Sequence, residues 1–297
     1  MPFDPTDLLA ADDPPHSGGY ADDSPRFGFF TDTSVCIGCK ACEVACKEWN
    51  HVPDDGLDFT GMSYDNTGGL SANTWRHVAF IEQSRPAEPV DLGMPEFTRP
   101  GDSGDGEHSE FRWLMSSDVC KHCTHAACLD VCPTGALFRT EFGTVVVQED
   151  ICNGCGYCVP ACPYGVIGQR EDDGRAWKCT LCYDRIGSGM EPACAQACPT
   201  DSIQFGELDE LRRRADARLA DLHSRGVGDA RLYGRDEGDG VGGTGAFFLL
   251  LDEPEVYGLP PDPEVTTKDL PAMWRHAGAA ALTLLAGLAV TFLGKRG

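Results

Sequence analysis

The clearest helical pattern in the chain lies at residues 207–225. Apolar residues recur there at spacings of three and four, with arginines and aspartates between them; they are Leu208, Leu211, Ala215, Leu219 and Leu222. This period predicts an amphipathic helix with one face packed on a domain. Gly226 is a suitable stop, and the apolar run at 246–251 predicts a strand.

Two short hairpins of the same plan are predicted in the middle of the chain. Each follows a Cys-Pro pair, first Cys132-Pro133 and then Cys162-Pro163. The predicted strand pairs are 136–138 with 144–147, and 166–167 with 175–177. A further strand is predicted at 111–115. The repeat of cysteine loop and hairpin is the plan of bacterial ferredoxin modules.

Residues 277–293 are a run of 17 uncharged, mostly apolar residues between Arg275 on one side and Lys295 and Arg296 on the other. As a helix the run is about 25 Å long, slightly short of a hydrocarbon core of about 30 Å. Trp274 and the long cationic side chains extend it. A buried helix of a soluble core is the alternative. The basic residues on both sides of the run and its C-terminal position favour a membrane span. Lys268 and Arg275 on one side balance Lys295 and Arg296 on the other, so the positive charges give no orientation.

Sixteen cysteines in 297 residues are far more than such a chain ordinarily carries. A disulfide scaffold, zinc sites or iron–sulfur clusters could each use them. Disulfide-dense chains are usually small and secreted. Here the first fifteen residues carry four aspartates, no lysine or arginine and no long apolar run, so no secretory signal is predicted.

The formal net charge of −23 makes nucleic acid an unexpected partner, because phosphate binding needs a basic surface. Four clusters with their thiolates would each add about −2 and bring the charge to about −31. Solubility or a salt-rich habitat explains such acidity, and the negative charge need not guide a charged partner towards the protein.

The spacing of the cysteines separates the metal alternatives. The four blocks are Cys36-x2-Cys39-x2-Cys42-x3-Cys46, Cys120-x2-Cys123-x4-Cys128-x3-Cys132, Cys152-x2-Cys155-x2-Cys158-x3-Cys162 and Cys179-x2-Cys182-x11-Cys194-x3-Cys198. The third block, followed by Pro163, is the unaltered bacterial ferredoxin run. The second and fourth blocks widen the middle gap.

Three closely spaced cysteines on one loop can wrap three irons of a cubane, and Gly38, Gly154 and Gly156 permit the tight backbone. The fourth cysteine points elsewhere, and in two-cluster modules it ligates the partner cluster. Four blocks in two modules therefore predict four [4Fe–4S] clusters with all sixteen cysteines as iron ligands. A zinc site takes two Cys pairs and leaves the third cysteine without a role.

Other polar residues beside the blocks are weaker candidates. His122 and His125 are not needed as ligands, because the second block has all four cysteines. Lys40, Lys121 and Lys178 adjoin cluster cysteines, where they either raise a cluster's potential or are solvated surface lysines. No metalloprotease, dinucleotide, P-loop or nucleophile-elbow motif occurs. No catalytic residue is predicted, and the chain is expected not to be an enzyme by itself.

The predicted fold class is α+β, with two bacterial-ferredoxin-like modules and one C-terminal transmembrane helix. Residues 1–28 are expected to be an acidic, weakly ordered arm, and residues 29–253 the double, four-cluster domain. Residues 254–272 are expected to be a Pro-rich linker and residues 273–294 the membrane helix.

From about Phe30 to Leu293 the chain resembles the iron–sulfur (beta) subunits of membrane-bound respiratory formate dehydrogenases. Besides the cysteines, the resemblance rests on Cys46-Lys47-Glu48-Trp49-Asn50, Leu70-Ser71-Ala72, Lys178-Cys179-Thr180-Leu181-Cys182, Gly240-Val241-Gly242-Gly243-Thr244 and Tyr257-Gly258-Leu259-Pro260. The cysteines alone indicate only a four-cluster electron-transfer subunit. The other stretches and the C-terminal span narrow the resemblance to formate dehydrogenase.

The resemblance implies that block 36–46 pairs with block 179–198, and block 120–132 with block 152–162. The implied ligand sets are Cys36, Cys39, Cys42 and Cys198; Cys46, Cys179, Cys182 and Cys194; Cys120, Cys123, Cys128 and Cys162; and Cys132, Cys152, Cys155 and Cys158.

The implied partners are a molybdenum- or tungsten-pterin catalytic subunit, a haem b membrane subunit and membrane lipid. The expected function is electron transfer from the first subunit to the second. The globular part is expected on the outer face of the cytoplasmic membrane, exported with its catalytic partner, and the C-terminus in the cytoplasm.

Two other functions stay open from the sequence. One is the same kind of conduit in a membrane-bound hydrogenase or in a reductase complex of the dimethyl sulfoxide or nitrate type. The other is a zinc-stabilised interaction module on a membrane anchor, which would be colourless where cubanes are brown.

Overall fold

The computed structural model describes residue 20 and residues 25–56, 61, 64–86 and 109–293. Most of the expected arm at 1–28 lies outside these residues. The end of the arm differs from the prediction, because Phe27 and Gly28 already belong to a strand and pair with Glu207 and Gly206. A Cβ on Gly28 would lie 2.2 Å from the carbonyl oxygen of Gly245, so the close approach of the two chain segments requires glycine there.

The described part of the chain contains ten strands. They are β1 (Phe27–Asp32), β2 (Arg76–Pro86), β3 (Ser109–Val119), β4 (Leu137–Arg139), β5 (Val145–Val147), β6 (Gly168–Gln169), β7 (Ala176–Trp177), β8 (Ile203–Glu207), β9 (Arg231–Tyr233) and β10 (Ala246–Leu250). The α-helices described are α1 (Ala41–Asn50), α2 (Ala127–Asp130), α3 (Cys158–Ala161), α4 (Tyr183–Gly187), α5 (Ala193–Gln196), α6 (Leu208–Ser224) and α7 (Leu270–Leu293). Short 3-10 turns lie at Thr33–Val35 and Pro254–Tyr257.

A four-stranded sheet of order β8-β1-β10-β9 joins the start of the domain to its end. Strand β1 pairs with β8 and β9 with β10 in antiparallel fashion, whereas β1 and β10 are parallel, with Phe29 opposite Ala246. All five residues of β10 are buried. A parallel strand covered on both faces shows a continuous apolar run, which explains why residues 246–251 lack alternation.

Helix α6 confirms the predicted amphipathic helix and covers one face of this sheet. Its buried residues pack with sheet residues in one apolar cluster, whose members include Leu208, Leu211, Ala215, Leu222, Phe30, Phe247 and Leu249. The helix ends at Ser224, and Gly226, the predicted stop, lies two residues beyond it with φ +87°. The N–H of Val227 donates to the carbonyl of Leu222 at 3.0 Å and closes the last turn.

Replacing Leu211 with alanine tests the packing of α6 on the sheet. Leu211 has no exposed surface, so the change removes buried methyl groups and leaves a cavity. We expect the free energy of unfolding to fall by about 2–5 kcal/mol, measured as a lower urea midpoint. Arg214→Ala, on the solvent face of the same helix, is the control and is expected to change stability by less than about 0.5 kcal/mol. Equal midpoints for the two variants would contradict this packing.

The short hairpins β4–β5 and β6–β7 follow the second and third cysteine blocks, so the repeated unit of loop and hairpin is confirmed. In the second hairpin the strand starts at Gly168 rather than at Val166. Val166 and Ile167 are instead buried in the apolar cluster that surrounds the cysteines. The strand predicted at 111–115 is part of β3, which pairs with β2 along its whole length.

The C-terminal helix α7 begins at Leu270, three residues before the predicted membrane segment and inside the expected linker. Pro271 is compatible with this start. Proline has no backbone N–H, and the N–H groups of the first helical turn have no intrahelical partner. Within the described residues, the helix Ala272–Phe292 is long and apolar enough to cross a membrane, with a mean hydropathy of 1.3. None of its best window is buried against the domain, which disfavours the alternative of a buried core helix.

The two threonines of α7 keep their polar groups within the helix. The hydroxyl of Thr283 donates to the carbonyl of Ala280 at 2.7 Å, and that of Thr291 donates to the carbonyl of Gly287 at 2.6 Å. A hydrocarbon environment requires such internal hydrogen bonds, since no water is there to replace them.

Candidate iron–sulfur sites

The first cysteine block forms a tight turn that leads into α1. Gly38 and Lys40 have φ of +65° and +59°, and a Cβ on Gly38 would lie 2.7 Å from the ring of Phe80. The turn brings its three cysteines to one cavity, which a cysteine of the fourth block also lines. We call these four residues group 1: Cys36, Cys39, Cys42 and Cys198.

The last cysteine of the first block, Cys46, lies one helical turn further along α1 and joins a different set. Its thiol interacts electrostatically with those of Cys179, Cys194 and Cys182. The side-chain amide of Asn50 lies 3.7 Å from the sulfur of Cys46 and 3.7 Å from that of Cys182. Group 2 is therefore Cys46, Cys179, Cys182 and Cys194, all of them buried.

The second and third blocks supply the other two groups. Cys123 interacts with Cys120, Cys128 and Cys162, which together form group 3. Cys158 interacts with Cys152, Cys132 and Cys155, which together form group 4. In each case the last cysteine of one block joins the group of the other. Gly154 has φ +70°, and a Cβ there would lie 2.6 Å from the carbonyl oxygen of Gly174, so this loop also depends on glycine.

The four groups are neighbours in numerical order. The thiol pairs that interact between consecutive groups are Cys42–Cys194, Cys179–Cys120 and Cys128–Cys158. The end groups reach the surface, because Cys39 of group 1 and Cys155 of group 4 are exposed. These electrostatic links order the groups from 1 to 4, and each end group includes one exposed cysteine.

Burial makes several of the metal-free thiols weak acids. Burial and the neighbouring Cys120 and Cys194 raise the pKa of Cys179 to about 12. Burial also raises the pKa of Cys128 to about 12, although Lys178 opposes the change. These thiols are protonated at neutral pH when no metal is bound. Metal binding must therefore release protons, and the positive charge of the metal must compensate the buried thiolates.

The donor sets fit iron–sulfur clusters. Each group offers four sulfur ligands, the set that such clusters take. Within the described ranges, no three His, Cys, Asp or Glu side chains are placed to hold a single metal ion. Backbone N–H groups support the sulfurs: Leu181 donates to Cys179 Sγ at 3.3 Å, and Ala176 to Cys152 Sγ at 3.5 Å. Hydrogen bonds of this kind tune the potential of a bound cluster.

The structure distinguishes the three candidate lysines. Lys121 and Lys178 are each only 1% exposed, so the solvated-surface alternative is wrong for both. Lys178 Nζ donates to the carbonyl of Cys179 at 3.0 Å, and Lys121 pairs with Asp118. Lys40 is partly exposed and lies 3.0 Å from Glu43 and 3.2 Å from Asp65.

Neither candidate histidine belongs to a cysteine group. His122 is buried, and its Nδ1 accepts the N–H of Val145 at 3.1 Å. Burial, together with Lys178 and Arg26, holds the pKa of His122 well below its usual range, so the ring is neutral. His125 lies against Gly242, outside the cysteine groups.

Arg76 is the residue of the site that sequence reasoning missed. It is 2% exposed, and its Nη2 donates to Cys194 Sγ at 3.3 Å. It stands at the start of β2, about thirty residues or more from the nearest cysteine block on either side. No motif or period singles it out there.

Known protein families and relatives match this chain over most of its length. Residues 35–136 and 111–208 each match a family model described as a 4Fe-4S dicluster domain. The iron–sulfur subunit of the nitrate-inducible formate dehydrogenase of Escherichia coli (strain K12) is 38% identical over 267 residues, which are 89% of this chain and 81% of that protein. The formate dehydrogenase iron–sulfur subunit of Haemophilus influenzae is 41% identical over 239 residues, 79% of this chain and 68% of that protein.

A relative from another enzyme system is also similar. One subunit of the anaerobic dimethyl sulfoxide reductase of Escherichia coli (strain K12) is 36% identical over 189 residues, 64% of this chain and 77% of that protein.

Together, the matched domains and the cysteine groups define a 4Fe–4S dicluster protein with ferredoxin-like modules, mixed helices and strands, and one apolar C-terminal helix. The predicted fold class is therefore confirmed. Within that class, the chain belongs to the family of formate dehydrogenase iron–sulfur subunits.

Proposed function

We propose that this chain conducts electrons through four [4Fe–4S] clusters from a formate-oxidising pterin subunit to a haem b membrane subunit that reduces quinone. The observation that carries the proposal is the series of four cysteine groups, whose two ends, at Cys39 and Cys155, are exposed. A non-catalytic conduit needs such a series, because electrons must enter at one surface and leave at another.

Under this proposal each group holds one cluster. The ligands are Cys36, Cys39, Cys42 and Cys198 in group 1; Cys46, Cys179, Cys182 and Cys194 in group 2; Cys120, Cys123, Cys128 and Cys162 in group 3; and Cys132, Cys152, Cys155 and Cys158 in group 4. A [4Fe–4S] cluster in such a group accepts and donates one electron at a time. All four cysteines of group 2 are buried, and the neighbouring N–H groups and cations tune the potentials of the bound clusters.

The proposal also assigns a place in the cell. Residues 29–253, together with Phe27 and Gly28 of β1, form the electron-transferring domain. The helix within 273–294 anchors it in the cytoplasmic membrane among lipid. The domain faces the outer side and the C-terminus the cytoplasm. The exposed apolar surface of α7 supports the anchor, and the names of the formate dehydrogenase relatives support the choice of electron donor.

A second candidate is the same role in a reductase complex of the dimethyl sulfoxide type. It is favoured by the 36% identity to a subunit of the anaerobic dimethyl sulfoxide reductase. The two candidates differ in the partner substrate. Formate, added to the purified complex, reduces the clusters in the first case, whereas dimethyl sulfoxide reoxidises them in the second.

The decisive experiment measures iron and acid-labile sulfide per chain, with EPR spectra after dithionite reduction. The protein is purified anaerobically after co-expression with the products of its neighbouring genes. We expect about sixteen iron atoms and about sixteen sulfides per chain, with interacting cubane signals. Stoichiometric zinc with little sulfide would overturn the proposal and leave a metal-stabilised module on a membrane anchor.

A further inference from the structure

Arg76 joins two of the cysteine groups through direct contacts. Its Nη2 donates to the sulfur of Cys194 in group 2 at 3.3 Å. Its Nη1 donates at 3.2 Å both to the carbonyl and to the hydroxyl oxygen of Ser117. That hydroxyl lies 3.3 Å from the sulfur of Cys42 in group 1. One guanidinium therefore connects a sulfur of group 2 to a sulfur of group 1.

The charge of Arg76 has no acidic partner among the residues that the structure describes. Its hydrogen bonds go to a serine and a cysteine, its Nε has no partner, and its guanidinium carbon lies 4.8 Å from the ring centroid of Phe29. A buried cation without a counter-charge is costly. Proteins retain such a residue where an anion balances it, and under the proposed function the anions within reach are the cluster-bound thiolates of the two groups.

The electrostatic surroundings of Arg76 agree with this interpretation. Burial disfavours its charged form, but Cys194, Cys42, Cys179 and Cys46 outweigh burial and raise the pKa of Arg76. These cysteines come from both groups, since Cys42 belongs to group 1 and the other three to group 2. An arginine guanidinium is always protonated in proteins, so Arg76 places a permanent positive charge beside both groups.

Lys121 provides a contrast. It is as deeply buried as Arg76 and lies beside group 3, but it pairs with Asp118. The carboxylate offsets part of its charge at the cysteines. Arg76 has no such partner in the described ranges, so its full charge acts on the sulfurs.

We propose that Arg76 is a positioning residue that raises the reduction potentials of groups 1 and 2 together, an inference that rests on the proposed cluster function. Reduction adds one negative charge to a site, and a fixed positive charge nearby stabilises the reduced form. The N–H donated to Cys194 acts in the same direction. Because one guanidinium serves both groups, it also weakens the repulsion between two reduced neighbours.

The test is an EPR-monitored redox titration of the anaerobically purified complex, with iron measured on each sample. Arg76→Gln removes the charge, Arg76→Lys keeps it without the planar fork, and Arg214→Gln removes an exposed charge as the control. In Arg76→Gln we expect two of the four midpoints to fall, with at least a tenfold lower reduced-to-oxidised ratio at fixed potential, which is about 59 mV for one electron. In Arg76→Lys the two midpoints should stay closer to those of the wild type, and Arg214→Gln should leave all four unchanged.

The outcomes separate this inference from the proposed function. A wild-type complex without cubanes would refute the function, whatever Arg76 does. The inference alone is overturned if the wild-type complex has cubanes and Arg76→Gln, with full iron, leaves all four midpoints unchanged. It is also overturned if Arg76→Gln shifts all four midpoints equally. If Arg76→Gln loses iron, the result for Arg76→Lys is used instead. Full iron and near-native midpoints in Arg76→Lys support the role of the charge. The same loss of iron in both variants contradicts it.

Discussion

Replacing Cys155 with alanine is expected to abolish electron transfer from formate to quinone while formate oxidation with an artificial dye continues at the catalytic subunit. Cys155 belongs to group 4 at one end of the series. Its side chain is exposed, so the loss of sulfur costs little packing. Three cysteines remain in the group, and the site either stays empty or takes a three-iron form. In both cases the series is broken at its end.

The measurements are quinone reduction, dye reduction, and iron per chain on the same preparation. We expect iron to fall by about one to four atoms and quinone reduction to fall to background. Tyr157→Phe is the matched control, because Tyr157 is an exposed residue in the same loop. This change leaves both glycine turns of the loop intact, and the variant should retain its iron and its activity. Full iron and full quinone reduction in Cys155→Ala would show that the ligand assignment of group 4 is wrong.

Ending the chain after Asp269 is expected to release it from the membrane without loss of its clusters. This truncation removes α7, whose exposed side chains include Leu282, Leu284 and Phe292. The helix window has no buried residue, so the domain loses no packing. A helix of this apolar length contributes the strongest attachment to lipid that the described residues offer.

The distribution between membrane and soluble fractions, after a high-salt wash, gives the result by immunoblot. The truncated chain should pass from nearly all membrane-bound to mostly soluble, with iron per chain unchanged. A variant ended after Leu293 keeps the helix, loses only the last four residues, and should remain bound. Retention of both variants in the membrane would show that another subunit, and not α7, holds the domain there.

Local features of this fold could be predicted because they have local causes. Apolar residues at helical spacing predict α6 almost to the residue, since one face must be buried. Short apolar runs around turns predict the hairpins β4–β5 and β6–β7. The cysteine spacing indicates cluster loops, because a cubane and a tight glycine turn impose that spacing on the chain.

Other features depend on long-range packing and could not be predicted. The burial of Lys121 and Lys178 follows from elements that cover them, and the sequence leaves surface and interior equally open. No local sequence pattern singles out Arg76, because its contacts are with Ser117 and Cys194, which are distant in the chain. The predicted arm extends too far, because the pairing of Phe27 and Gly28 with β8 involves residues almost two hundred positions away.

The parallel pairing of β1 with β10 has a consequence for synthesis. Phe29 emerges from the ribosome early, but its partner Ala246 emerges only when most of the chain has been made. Group 1 likewise needs Cys198, so its first three thiols wait unpartnered through much of translation. Closing so long a loop is slow and entropically costly. The sheet can therefore close only after Ala246 has been made, and under the proposed function iron–sulfur delivery to group 1 can finish only once the first two thirds of the chain, through Cys198, has been translated.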